Sequence, residues 1–346
     1  MIDAELIVVG GGPVGLAVAI EARMAGLDFL VIEPRDGVID KACGEGVMPG
    51  ARDALDRLGV VAASAPIAGI DYRDGRHSVQ HRFAGGPGHG IRRTTLHAAL
   101  LERAAELGVR WVHARVTSVV SADAGVTATT DTGEQLRGEW LIAADGLHSP
   151  VARSVGLALP EPKARRRYGQ RRHYRLDHWT DLVEVHWTPL GELYVTPLGD
   201  RLVGVALLAR RGVHYADALA ASGELAERLH DTDAVSELRG AGPLRQRTRA
   251  RTAGRVLLVG DASGYVDALT AEGLRIGFEQ AQHAVAAVRA GDPARYEVEW
   301  QRITRDFRVL TERLVRAAES PMRGLIVPTA ARFPSLYARS VERIAR

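Results

Sequence analysis

The stretch LIVVGGGPVGLAVA, Leu6–Ala19, decides the fold. A short apolar run ends in three glycines, and a second apolar run of helical composition follows at once. Gly10 permits a tight turn, Gly12 lets the backbone approach a pyrophosphate with no Cβ in the way, and Gly15 lets the helix lie close on the strand. The free N–H groups of the helix N-terminus serve the same phosphates. The next strand, FLVIEP, leads to Glu33, 18 positions after Gly15. That is near the ~20 expected for an acid accepting the 2′ and 3′ hydroxyls of an adenosine ribose. Strand Glu5–Val9, helix Pro13–Ala25 and strand Asp28–Ile32 are therefore expected to open an α/β chain that holds a dinucleotide.

Two later stretches repeat the pattern. WLIAADGLHSPVAR, Trp140–Arg153, carries Asp145 and Gly146, and RVLLVGDASGYVDALTAEGLRIGFEQA, Arg255–Ala281, carries Gly260 and Asp261. An Asp after an apolar strand also suits a plain helix cap. A lone GxGxxG is weak, but three such segments in this order form the pattern of an FAD enzyme.

Composition narrows the partners. Hydrophobic residues make up 46% of the 346, enough for a sizeable core. Lys plus Arg number 45 against 42 Asp plus Glu, too balanced to favour nucleic acid. The arginine-rich ARRRYGQRRHYRLDH, Ala164–His178, reads instead as a strand with Arg171, His173 and Arg175 on one polar face, solvated or at an interface. Arg172, Tyr174 and Leu176 fall on the other face. The single cysteine, Cys43, forms no internal disulfide and fits a reducing, cytoplasmic setting. The N-terminal apolar run reads as a strand rather than a signal peptide, and no apolar run approaches a membrane span. Neither an HExxH nor a cysteine set for zinc is present, so no metal is expected.

Residues 34–50 are expected to be an irregular functional loop, and a helix follows at Ala51–Leu58. Short polar strands come next. An amphipathic helix over 94–107 presents Leu96, Leu100, Leu101, Ala104 and Leu107 on one face. A β-meander returns the chain to Trp140–Ala143. Period-two strands fill 165–215, helices are expected at Ala216–Leu229 and Ala234–Arg239, and helices dominate from Leu274 onward. The expected division is a discontinuous FAD-binding domain (1–70, 90–160, 250–295), a β-rich substrate domain (71–89, 161–249) and a C-terminal helical region (296–346). From Val298 that last region is basic and amphipathic. It suits core cover or pocket wall by default, and peripheral membrane contact as the alternative.

With these motifs the chain resembles the FAD-dependent monooxygenase and geranylgeranyl reductase superfamily, whose fold is that of para-hydroxybenzoate hydroxylase. The resemblance covers roughly residues 1–290. It implies a Rossmann-like α/β FAD-binding domain with an inserted β-rich domain. Gly10, Gly12 and Gly15 would take the pyrophosphate, flanked by Pro13 and Val14, and Glu33 with Arg35 the ribose. Arg93, in an R-x-x-L pattern with Leu96, would precede its helix at the cofactor, although it also suits a solvated helix start. Asp145 and Gly146 would serve FAD and the nicotinamide donor, Asp261 after Gly260 the ribityl chain. Val116, Gly273 and Leu274 complete the cofactor set. Relatives commonly carry proline and glycine where this chain has Ala268 and Ala271. The added Cβ at Ala271 either crowds the flavin or is accommodated by a shifted loop.

The segment Lys41–Gly46, KACGEG, is similar to a K-x-C-G-x-G loop of the reductase-type members, placed beside the flavin ring. Cys43 there is first a small packing residue and second a reactive thiol. Glu45 reads as an exposed loop carboxylate, or as a partner of substrate or of a flavin proton. His173 and Tyr194 are pocket candidates because their sheet would roof the flavin. The implied activity is an NADPH- or NADH-driven monooxygenase, hydroxylase or epoxidase, inserting one oxygen through a flavin C4a-hydroperoxide. Its substrate would be a small apolar aromatic, polyketide or terpenoid metabolite, with no obligatory catalytic residue or protein partner. The alternative is a geranylgeranyl reductase-like enzyme reducing isoprenoid double bonds. A flavin-dependent halogenase, whose W-x-W-x-I-P motif is absent, and a non-catalytic FAD-binding protein stand further off.

Overall fold

In strand Ala4–Val9 every side chain from Leu6 onward is buried, as befits the middle of a parallel sheet covered on both faces. The computed structural model describes residues 2–161 and 166–345, and its strands and helices are counted among these. Ala164 and Arg165 of the arginine-rich stretch lie outside them. Parallel strands run in the order Val256–Leu258, Gln135–Ala143, Ala4–Val9, Phe29–Ile32 and Arg110–Val112. Leu6, Val8, Val31 and Ile142 face helices Pro13–Met24, Arg93–Glu106 and Gly273–Ala290. Ile7, Val9, Leu30 and Leu141 face the antiparallel hairpin Val116–Ala122/Gly125–Thr130.

A second sheet stands against the first. Its order is Arg239–Ala241, Arg167–Arg175, Leu202–Arg210, Gly191–Pro197, Leu182–Trp187, Gly69–Arg73 and Ser78–Arg82. Neighbours are antiparallel, except that Leu182–Trp187 runs parallel to Gly69–Arg73. One face packs Leu193, Val205 and Leu207 against helices Tyr215–Ala220 and Gly223–Leu229. The other shares a cluster with Val315, Val327, Tyr337 and Val341 of the C-terminal helices, and Tyr337 Oη donates to the Ile70 carbonyl at 3.0 Å. The C-terminal segment is thus core cover, and no residue beyond Leu274 lines the main cavity. Among the described residues no helix is long and apolar enough to cross a membrane.

Three local expectations are corrected. The irregular 34–50 segment contains the short strand Gly46–Val47, and its following helix starts at Pro49. The helix over Ala216–Leu229 is broken at Ser222, whose Oγ is bonded to His186 Nδ1 instead. Residues 234–239 are not helical: Ala234 bridges to Tyr174, and strand Arg239–Ala241 pairs with Gly169–Arg171. The edge of strand Arg167–Arg175 carries unpaired backbone groups, and satisfying them outweighs a weak local helix propensity.

Candidate functional site

Gly10 follows Val9, Glu33 follows Ile32, and the Asp145 and Gly260 loops follow Ala143 and Leu258. All four lie at the carboxyl ends of neighbouring parallel strands, where open α/β sheets bind ligands. They open into one cavity of about 680 Å³. Gly10, Gly12, Pro13, Val14, Glu33, Arg35, Cys43, Arg93, Val116, Asp145, Gly146, Gly260, Asp261, Gly273 and Leu274 all line it. Gly15 does not. A Cβ there would fall 1.8 Å from the Gly10 carbonyl oxygen, so its bareness lets the helix cross the turn. A Cβ on Gly12 would meet nothing within 4 Å. That open space is a cradle a side chain would fill.

The wall carries unspent polar atoms. Arg93, 9% exposed, has a buried Nε without a partner, and burial lowers its pKa. Asp145 accepts from Ser149 Oγ at 2.8 Å and from the Val151 amide at 3.1 Å, leaving Oδ1 buried and unpaired. Burial pushes its carboxyl up to about 6, against those hydrogen bonds. For Glu33, burial raises the carboxyl, but bonds from Arg35 and from the Gly11 amide prevail and hold it below the usual range. Lys41 Nζ stands 3.7 Å from Asp261 Oδ2, bringing the KACGEG loop to the third motif.

The raised Asp145 pKa has a consequence for stability. The folded value, about 6, exceeds the 3.8 of a free side chain, so the native state binds more protons. Its stabilising contribution is complete below about pH 4 and is lost as pH rises through about 6. FAD-free protein is expected to lose about 1 kcal/mol more than the Asp145→Asn variant between pH 5 and 7.5 in urea unfolding. Equal losses in both proteins would refute the assignment.

The surroundings of the KACGEG loop overturn one expectation and decide another. Glu45 is not an exposed loop carboxylate: it is 2% exposed, and it lines the cavity. Of the solvated and interface readings of the Arg171–His173 face, burial decides for the interface, at 1% and 0% exposed, and only Arg175 points outward. Arg171 is paired with Asp40, and His173 Nε2 lies 2.7 Å from Glu45 Oε2. Period two assigned these side chains to one face but not that face to the interior. His173 therefore sits behind Glu45 rather than on the wall, whereas Tyr194 does line the cavity and donates to the Leu269 carbonyl at 2.9 Å. Cys43 lines it too, and burial pushes its thiol up, which keeps it protonated. Ala271 sits at φ +55°, the left-handed region that favours the relatives' glycine. The loop keeps the glycine-like backbone in spite of the added Cβ.

Of the far wall only Tyr194 was legible. Val183, Tyr194, Thr196, Ala206 and Leu208 come from three strands of the second sheet, with Met48 and Leu244 beside them. Alternation marked their strands, but which face looks into the cavity depends on how the two sheets meet.

The fold and this cavity define a dinucleotide-binding flavoprotein with an apolar chamber beyond the cofactor motifs. Residues 3–171 match the family model described as FAD binding domain. Over those residues the chain is similar to an FAD-binding domain, in keeping with the motifs that suggested one. It is 31% identical over 172 residues to para-nitrophenol 4-monooxygenase of Pseudomonas sp. strain WBC-3, covering 44% of this chain and 42% of that one. It is 31% identical over 164 residues to menaquinone reductase of Mycobacterium tuberculosis strain H37Rv, covering 44% and 40%. The matches thus span about two fifths of the relatives' length. The structure of p-nitrophenol 4-monooxygenase PnpA from Pseudomonas putida DLL-E4 superposes with a TM-score of 0.77 at 20% identity, covering 99% of this chain and 95% of that one.

Proposed function

We propose that this protein is an FAD-dependent monooxygenase that takes electrons from NADPH or NADH and oxygenates a small apolar substrate. The observation that carries the reading is the continuity of one cavity from the cofactor motifs to an apolar wall of Met48, Val183, Ala206, Leu208 and Leu244. The open cradle at Gly12 and the unpartnered atoms of Arg93 and Asp145 suit a phosphate-bearing, hydrogen-bonding cofactor. In this assignment the Gly10–Gly15 turn receives the pyrophosphate, Glu33 the ribose hydroxyls and Asp261 the ribityl chain. Glu33 already accepts from the Gly11 amide and from the Arg35 amide, Nε and Nη2, so the ribose hydroxyls would take the places of the Arg35 guanidinium, whose side chain is largely exposed. Bound flavin supplies the electron transfer and the reaction with oxygen, and the protein orients substrate and excludes water. The division that goes with this reading assigns 1–70, 90–160 and 250–295 to the cofactor, 71–89 and 161–249 to the substrate, and 296–346 to a C-terminal helical region.

A second reading, reduction of an isoprenoid double bond, is favoured by the KACGEG loop on the cavity wall and by the likeness to menaquinone reductase. One experiment separates the two. Purified yellow protein is expected to be reduced anaerobically by NADPH or NADH, and to couple nicotinamide oxidation to oxygen uptake with an oxygenated product. The first substrates to try are 4-nitrophenol and other apolar phenols. Reduction without oxygen uptake, but with turnover of menaquinone, would establish the reductase instead. Flavin that ignores both nicotinamides would overturn both.

A further inference from the structure

We propose that Ser236, His173 and Glu45 form a path that brings protons from solvent into the cavity, with Glu45 at its inner end. The path rests on this cavity being the reaction site, but not on which of the two reactions occurs there. Oxygenation consumes one proton with each NADPH and O₂, giving hydroxylated product, water and NADP⁺. Reduction of a double bond likewise consumes one proton beside the hydride. Either way a proton must reach the cavity from solvent.

The geometry supplies a route. Ser236 Oγ lies 3.0 Å from His173 Nδ1, on a segment that continues into the exposed Glu237. His173 Nε2 lies 2.7 Å from Glu45 Oε2, and the side chains of both residues are 1% exposed. The other Glu45 oxygen accepts from the Arg93 amide at 2.8 Å. Arg171 Nη1, 3.2 Å from His173 Nδ1, is only a donor. It selects the tautomer with a lone pair on Nδ1 and the hydrogen of Nε2 aimed at Glu45. In that tautomer the step balances. The Ser236 hydroxyl, its hydrogen turning from the Glu237 carbonyl to Nδ1 in place of the Arg171 contact, passes its proton to Nδ1 as the Nε2 proton passes to Glu45, and water restores the serine. Glu45 is left as a neutral acid at the cavity wall, and the ring as its other tautomer, which resets by reorientation.

Two further features fit a built path. Glu45 holds φ +60°, a left-handed conformation costly for a residue with a side chain and frequent at functional sites. Gly204 pairs with His173 across the sheet, and a Cβ there would lie 3.0 Å from Glu45 Oε2. The charged and titratable groups facing the pair are Cys43 and Asp40 from the loop, Arg93 from its helix and Arg171 from the strand.

The fold contains its own control. His97 is also 1% exposed, but its Nδ1 accepts from the Ile39 amide and its Nε2 donates to the Gly11 carbonyl. Backbone partners on both sides offer no outlet. NMR on full-length, FAD-loaded protein labelled with ¹⁵N-histidine reads the exchange of each ring N–H with water, with signals assigned by their loss in His173→Gln and His97→Gln. Tautomers are read from the carbon-bound ring hydrogens, which are visible at any exchange rate. The expected result is that His173 exchanges at least tenfold faster than His97. Ser236→Ala should slow His173 at least tenfold while leaving His97 unchanged, although it lowers the unfolding midpoint somewhat, because Ser236 Oγ also accepts from the His173 amide at 3.0 Å. Equal rates for the two rings, or no response to Ser236→Ala, would overturn the path. Failure of the oxidoreductase reading would show instead as flavin absorbance unchanged by NADPH or NADH.

Discussion

Gly12→Val is expected to leave the fold standing and to weaken FAD binding at least a hundredfold, about 2.8 kcal/mol. Gly12 sits at φ −70° and ψ 176°, extended backbone that valine adopts without strain. Its Cβ would meet no protein atom within 4 Å, so the FAD-free protein has nothing to lose. The space it fills is the one proposed for the pyrophosphate. Gly15→Ala makes the contrast, because its Cβ meets the Gly10 carbonyl oxygen at 1.8 Å and must displace the turn itself. Titration of FAD by fluorescence and thermal unfolding without FAD separate the two effects. Affinity of Gly12→Val within threefold of the parent would remove the pyrophosphate from this turn.

Glu192→Ala is expected to cost about 3–5 kcal/mol of stability, the range for stripping one partner from a buried ion pair. Glu192 is 0% exposed and pairs with Arg167 and with Arg323, the latter at 2.6 Å. Without it two cations remain in the interior, with Asp267 3.7 Å from Arg167 as counter-charge. Burial pushes the Asp267 carboxyl up to about 6, so that compensation weakens further in mild acid. The cluster also ties Arg323, on the turn Pro321–Leu325, to strand Gly191–Pro197 of the cavity wall. Urea unfolding at pH 7.5 measures the loss, and a change below about 1 kcal/mol would show that the cluster relaxes or hydrates freely.

The cofactor half was legible because its geometry is local. Gly10, Gly12 and Gly15 stand within one turn, and strand, bare turn and helix follow one another in the chain, so steric rules alone place them. Glu33, Asp145 and Gly260 were legible for the same reason, each closing a strand whose apolar run marks it. Arg93 was harder to place, since a basic residue at a helix start usually faces water. Here the KACGEG loop lies over it, with Glu45 accepting from its amide and Cys43 and Asp261 near its guanidinium.

The sequence by itself determined the α/β class, the order of the strands that carry the glycines and acids, and the binding of FAD. Tertiary structure decided that Arg171, His173 and Glu45 are buried together, that 234–239 is sheet edge instead of helix, and that the C-terminal helices cover core instead of cavity. The reason is physical. Alternation and periodicity state which side chains share a face, and local sterics state where a turn can form. Whether that face meets water or another layer depends on long-range packing. In Arg167–Arg175 and in the KACGEG loop, such packing turned an apparently solvated polar face into the buried hydrogen-bonded chain behind the cavity.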